Sequence, residues 1–203
     1  MNRVKIKNQA KEIIKGNIWT LLLPFIIAGA LSGLVGGFSG YYSSSTESAT
    51  LSVISSIVEI AVLPLTIGAT AYVMKFVRKE PVDLNYMFSF YKQFWPIFVL
   101  TFLIGLFTSL WTLLFIVPGI IAAISYSMSQ YIFIDGEEDA MECIRKSKKM
   151  MDGYKADYFM FLLSFVGWFF LGILSLGLLF IWIVPYLNVA NLMYYEELKK
   201  LEK

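Results

Sequence analysis

Apolar positions along this chain fall into long blocks rather than into a strand-like or helical alternation. Four blocks stand out, at residues 19–38, 51–77, 94–133 and 158–195. The first two are each long enough for one crossing of a hydrocarbon core of about 30 Å, and the last two for two crossings each. The pattern therefore predicts six transmembrane helices. Barrel strands would be shorter, alternating and polar on one side. "VPG" at 117–119 and "LSLG" at 174–177 split the two long blocks. Linkers this short make each block a tight helical hairpin.

A short amphipathic stretch precedes each hairpin. In the first, Ile6, Ala10, Ile13 and Ile14 form an apolar stripe, with Lys5, Lys11, Glu12 and Lys15 on the other side. In the second, Asp83 serves as N-cap, and Leu84, Met87, Phe88 and Tyr91 follow at helical spacing. The third starts at Asp135, with Glu138 completing a capping-box spacing and Ala140, Met141, Ile144, Met150 and Met151 on its apolar side. Gly16 and Gly153 stand where a positive φ would turn the chain from these helices into the next span. The second helix of every hairpin carries a proline (Pro64, Pro118, Pro185), expected to kink it, and Ala69, Ala123 and Ala190 recur five positions on. The expected fold is thus an all-α polytopic membrane protein. Six transmembrane helices form three hairpins, each preceded by a cytoplasmic amphipathic helix, in a pseudo-threefold repeat with units 1–77, 78–134 and 135–203 of a single membrane domain 1–203.

Composition strengthens this picture: 58% of residues are hydrophobic and only 16% charged, with a mean hydropathy of +0.66, far from a soluble domain. Charge adds orientation. All 17 Lys and Arg residues fall within 3–15, 75–92, 145–155 and 199–203. With six spans those four segments share one side, so the positive-inside rule places both termini in the cytoplasm. The opposite side holds the polar segment 40–50 and two tight turns. No cleavable leader is expected, since residues 1–17 are too long and amphipathic for one. The single Cys143 and the absence of His remove Ser-His and Cys-His nucleophilic pairs and His-ligated metals. No catalytic residue, metal site or cofactor is expected.

"AKEIIKGN" near the start and the stretch from Ala140 to Leu198, with Trp168, Gly177 and the Pro185–Tyr186 pair, resemble the DUF975 family of bacterial integral membrane proteins. That family is related in pattern to the glycerophosphodiesterase membrane domain and the YciC-like proteins. The resemblance spans essentially the whole chain and implies a polytopic helical fold. At Tyr154 the chain departs from the family's pattern, which more often has Asn after this Gly, as at Asn17.

Several residues invite a functional reading. Glu59 is an acid inside a predicted span, and Ser55, Thr66 and Thr70 lie near its face. An intramembrane carboxylate marks a proton or cation site, unless it reaches the head groups. Asn188 and Asn191, one turn apart, either line a polar path or bond between helices. Gly29, Gly33 and Gly37 form a small-xxx-small ridge for close helix contact, within the chain or with a second copy. Arg145, Lys146, Lys148 and Lys149 suit contact with anionic lipids of the inner leaflet. Nucleic acid is not an expected partner, because acids on the same helix offset these charges. Membrane lipids, a membrane-protein partner or a homo-oligomer are. The reading that fits best is a non-enzymatic membrane protein acting by binding, in an accessory, scaffold, lipid-interacting or peptide-immunity role. The alternative is a small transporter or channel using the polar stripe around Glu59.

Overall fold

The computed structural model describes residues 2–43 and 49–201, with side chains described at all of these except 34–43, 49–52, 54 and 55. Ser55, Gly37 and the polar segment 40–50 lie outside the residues whose side chains are described. Ten α-helices follow one another among the described residues, with no strand: α1 (Arg3–Ile14), α2 (Ile18–Ser43), α3 (Ala49–Val77), α4 (Tyr86–Ser89), α5 (Phe94–Leu114), α6 (Ile116–Tyr126), α7 (Ser129–Ile134), α8 (Ala140–Met150), α9 (Lys155–Leu174) and α10 (Phe180–Leu201). A 3-10 turn, Phe90–Gln93, joins α4 to α5.

Four stretches are long and apolar enough to cross a membrane: Ser56–Val77, Tyr86–Leu114, Ile116–Ile134 and Lys155–Leu174. A fifth arises if α1 and Ile18–Gly33, sharply bent at the break between them, count as one. Helix α10 is not among them, because Asn188, Asn191, Glu196 and Glu197 dilute its apolar residues. The hydropathy of the described helices therefore supports four or five crossings, fewer than the six that the four apolar blocks predict.

The chain divides into two compact units, Trp19–Phe98 and a second made of Met1–Ile18 with Val99–Lys203. In the first, α4 and the 3-10 turn lie against α3. Gly68 of α3 faces the backbone carbonyl of Met87, and a Cβ there would collide with it. Met87 and Phe90 are buried, whereas Phe88 and Tyr91 are exposed. The expected helix from Asp83 is thus only a four-residue helix capped at Asn85, running into a 3-10 turn. Three residues per turn bring positions i and i+3 into line, which explains why the buried pair is Met87 and Phe90. Asp83 instead accepts a hydrogen bond from the Asn85 side chain at 2.7 Å.

In the second unit α1 packs on α10, α8 packs on α6 and α7, and α9 packs on α6 and α10. Ile6, Ala10 and Ile14 of α1 are buried, as the apolar stripe requires. Helix α8 starts later than the spacing suggests. Asp135 caps the end of α7, and Asp139 is the N-cap of α8, its side chain accepting from the Glu142 amide at 2.9 Å. Two acids four residues apart compete for the role, and the one before an uninterrupted apolar stripe takes it. Met141 is exposed, unlike Ala140, Cys143, Ile144 and Met150. Gly16 (φ 86) and Gly153 (φ 77) adopt the left-handed backbone that their positions call for. Gly16 directly follows the cap Lys15, and Gly153 stands two residues beyond the cap Met151.

Pro64 and Pro185 lie inside α3 and α10. Pro118 occupies the first turn of α6, where the missing N–H leaves no ladder bond unmade, so it starts a helix rather than kinking one. The break before it is a single extended residue, Phe115 (φ −159, ψ 145). Gly119 then lies so close to Thr112 of α5 that a Cβ would overlap it.

Candidate functional site

The C-terminal half of α10 is a polar hub. Tyr194 donates to Asp157 at 3.1 Å, and Asp157 also pairs with Arg3 at 3.2 Å. Tyr195 donates to Asp135 at 2.7 Å, which Lys199 contacts at 2.5 Å. Tyr158 donates to Asn191 at 3.2 Å. Adjacent tyrosines of one helix thus each reach an aspartate bound to a cation, tying α10 to α7 and α9. Asn188 bonds the Val184 carbonyl of its own helix at 2.9 Å. Asn191 thus bonds between helices, whereas Asn188 bonds within its own.

Helix α1 turns its basic residues toward this hairpin. Beyond the Arg3–Asp157 pair, the Lys7 ammonium sits 4.5 Å from the centre of the Phe165 ring. The Lys11 ammonium lies 6.0 Å from Trp168 and 5.9 Å from Tyr186. Trp168, Trp182 and Tyr186 themselves form a cluster, with ring centres 4.8–6.3 Å apart. Arg3, Lys7 and Lys11, four residues apart, lie on one side of the helix. Their charges are absorbed by a carboxylate and aromatic faces.

Helix α8 does the reverse. Its inward side carries Ser147, fully buried, whose hydroxyl donates to the Ser125 carbonyl at 2.8 Å and accepts from the Met128 amide at 3.1 Å. One serine thereby satisfies two backbone groups left open where α6 ends and α7 begins. Cys143 is also buried. Its thiol donates to the Glu137 carbonyl at 3.2 Å, and burial pushes its pKa up to about 11, far from a reactive thiolate. The outward side carries the basic run, and the structure sorts it. Lys146 bonds Glu137 at 2.6 Å and holds that carboxyl below its ordinary range. Arg145 pairs with Glu142. A cavity of about 580 Å³ is lined by Asp135, Glu137, Glu142, Lys146 and Lys199 among others, so its charges are largely matched by each other.

A smaller cavity of about 320 Å³ is different: Arg145, Lys148, Lys149 and Lys155 line it with a single acid, Asp152. Lys148 and Lys155 also border a slot of about 200 Å³ walled by Trp111, Pro118, Ile121, Ala122, Ser125 and Tyr126. An apolar slot along α6 therefore opens beside a basic cavity, with two lysines common to both. Among the described residues no group of His, Cys, Asp and Glu side chains is placed to hold a metal ion.

Comparison with known families gives a match to DUF975, a protein family of unknown function, over residues 1–125 and 113–202. The chain belongs to the DUF975 family. No curated protein and no solved structure matches it.

The remaining candidates of this DUF975 chain belong to the unit Trp19–Phe98 and to none of the cavity linings described above. Glu59 and Thr66 are exposed on α3. The hydroxyls of Thr66 and Thr70 bond carbonyls of their own helix, at 2.8 Å to Leu63 and 3.2 Å to Thr66. Gly29 and Gly33 are exposed, and a Cβ at either would meet open space. Lys155 lines the basic cavity yet lies outside the basic run that the sequence singles out. Its signal was there: Lys148 and Lys155 are seven apart, two helical turns, but Gly153 breaks the helix between them and hides the relation.

Proposed function

We propose that this DUF975 protein is a non-enzymatic, multi-pass protein of the bacterial cytoplasmic membrane that binds anionic lipid of the inner leaflet. One observation carries the reading: Lys148, Lys149 and Lys155, with Arg145 that also pairs with Glu142, line a cavity that holds the single acid Asp152 and shares Lys148 and Lys155 with an apolar slot. A basic residue near a membrane surface attracts anionic lipid at about 1 kcal/mol. The proposal includes six crossings as three hairpins with both termini cytoplasmic. The order of contacts supports the threefold repeat. Helix α4 lies on α3, α8 on α6 and α7, and α1 on α10, so each amphipathic helix meets the proline-bearing helix of the preceding unit, and the first meets the last. Against a transport role stand the hydroxyls of Thr66 and Thr70, which close on their own helix rather than facing a path.

Native mass spectrometry of the protein released from bacterial membranes tests this. The expected result is retained anionic phospholipid, reduced in the Arg145→Gln/Lys148→Gln/Lys149→Gln protein. Retention of zwitterionic and anionic lipid in proportion to their abundance would sink the reading.

A further inference from the structure

Attraction to a leaflet needs only charge on a surface, yet the lysines here border an apolar recess as well. The slot follows α6 from Pro118 to Tyr126, roughly 12 Å at 1.5 Å per residue. Ile121 and Ala122 form its middle and Trp111 of α5 one wall. At the Tyr126 end Lys148 and Lys155 turn the lining cationic, and beyond them lie Arg145, Lys149 and Asp152. Ser147 fixes this junction, because its buried hydroxyl binds α8 to the Ser125 carbonyl at the same end of α6. The larger neighbouring cavity, which shares Arg145 and Lys149 with the basic one, differs in charge: three acids line it, and Lys146 and Lys199 are paired with Glu137 and Asp135.

Resting on the lipid-binding reading above, we propose that Lys148 and Lys155 mark the glycerol level of a discrete site for one anionic phospholipid, whose headgroup enters the basic cavity and one of whose acyl chains lies in the slot along α6. Charge complementarity selects the headgroup, and the slot selects a molecule with a chain attached to it. A free inorganic anion would leave the slot empty, and a zwitterionic lipid would bring an ammonium among the lysines.

Trp111 makes the proposal measurable. The full-length protein is reconstituted into phosphatidylcholine vesicles doped with chain-brominated phosphatidylglycerol or, in parallel, chain-brominated phosphatidylcholine. Quenching specific to Trp111 is obtained by subtracting the Trp111→Phe protein, a substitution at a half-exposed position. Brominated phosphatidylglycerol is expected to quench this component at far lower mole fraction than brominated phosphatidylcholine. Lys148→Gln/Lys155→Gln should lower that preference roughly thirtyfold at low ionic strength. Ile121→Phe, which fills the slot from a half-exposed position, should abolish the Trp111 preference while native mass spectrometry still detects retained anionic lipid. Equal quenching by the two lipids in the unaltered protein overturns the discrete site, and with anionic lipid still retained it leaves the broader reading standing. No retained anionic lipid removes both. Stronger quenching by a brominated fatty acid than by brominated phosphatidylglycerol overturns the phospholipid assignment.

Discussion

Helices α1 and α8 are built to the same plan and employ their lysines oppositely. Each is a short amphipathic helix with three or more basic residues, and each ends near a glycine of positive φ. In α1 Arg3, Lys7 and Lys11 point at Asp157, Phe165, Trp168 and Tyr186, so charge helps to fasten the helix to its hairpin. In α8 fastening falls to a neutral serine, and Lys148 and Lys149 are turned to a cavity. A run of basic residues is therefore not in itself a binding surface. What the opposite face of the helix uses for docking decides whether a lysine such as Lys148 borders a cavity or a docking contact.

The largest expected effect comes from unseating α1. Ile14 is fully buried, and Ile14→Ala should cost about 2–5 kcal/mol through lost burial and the cavity left behind. Thermal unfolding in detergent reads this as a clear fall in Tm. An unchanged Tm would mean that α1 contributes little to holding α10, and the contrast with α8 would collapse. Ser147→Ala comes next. It leaves the Met128 amide and the Ser125 carbonyl without their partner, at about 1–3 kcal/mol, and should also weaken anionic-lipid retention by loosening the Lys148 side of the cavity. Loss of stability without change in retention would separate docking from binding. The smallest effect is expected at Lys11. Lys11→Met removes a cation over two rings, at about 0.5–1 kcal/mol, and should leave lipid retention at the unaltered level. A fall in retention comparable to that of the Lys148 variants would show that α1 also holds lipid.

Much of this fold was legible because membrane helices announce themselves by composition. The apolar blocks and the left-handed glycines at 16 and 153 required only local rules, as did the stripe of Ile6, Ala10 and Ile14. Boundaries and partnerships were not local. Asp135 and Asp139 both satisfy a capping rule, and only the end of α7 decides between them. Met87 and Phe90 are buried because the backbone tightens to a 3-10 turn, which helical spacing does not anticipate. The candidate site was half visible. The basic run was plain, but its division between Glu137, Glu142 and the cavity depends on folding, and Lys155 joins it from across a helix break. Polar residues on α3 drew attention because charge is rare in apolar blocks, whereas Tyr194 and Tyr195 of α10, each with a hydrogen-bond partner, look ordinary in sequence.

The seating of α1 on α10 has a consequence in time. The surface that buries Ile6, Ala10 and Ile14 includes α10, so it does not exist until most of the chain has been synthesised. At about 5–20 residues per second, α1 waits roughly 10–40 s for its partner. Throughout that interval it is an unpaired amphipathic helix rich in lysine, the kind of segment that rests on an anionic membrane surface. The helix that finally locks the hairpin must first be parked on the bilayer and then withdrawn from it. Slowing synthesis before α10 emerges would prolong that intermediate, the state in which the nascent chain is most open to proteolysis.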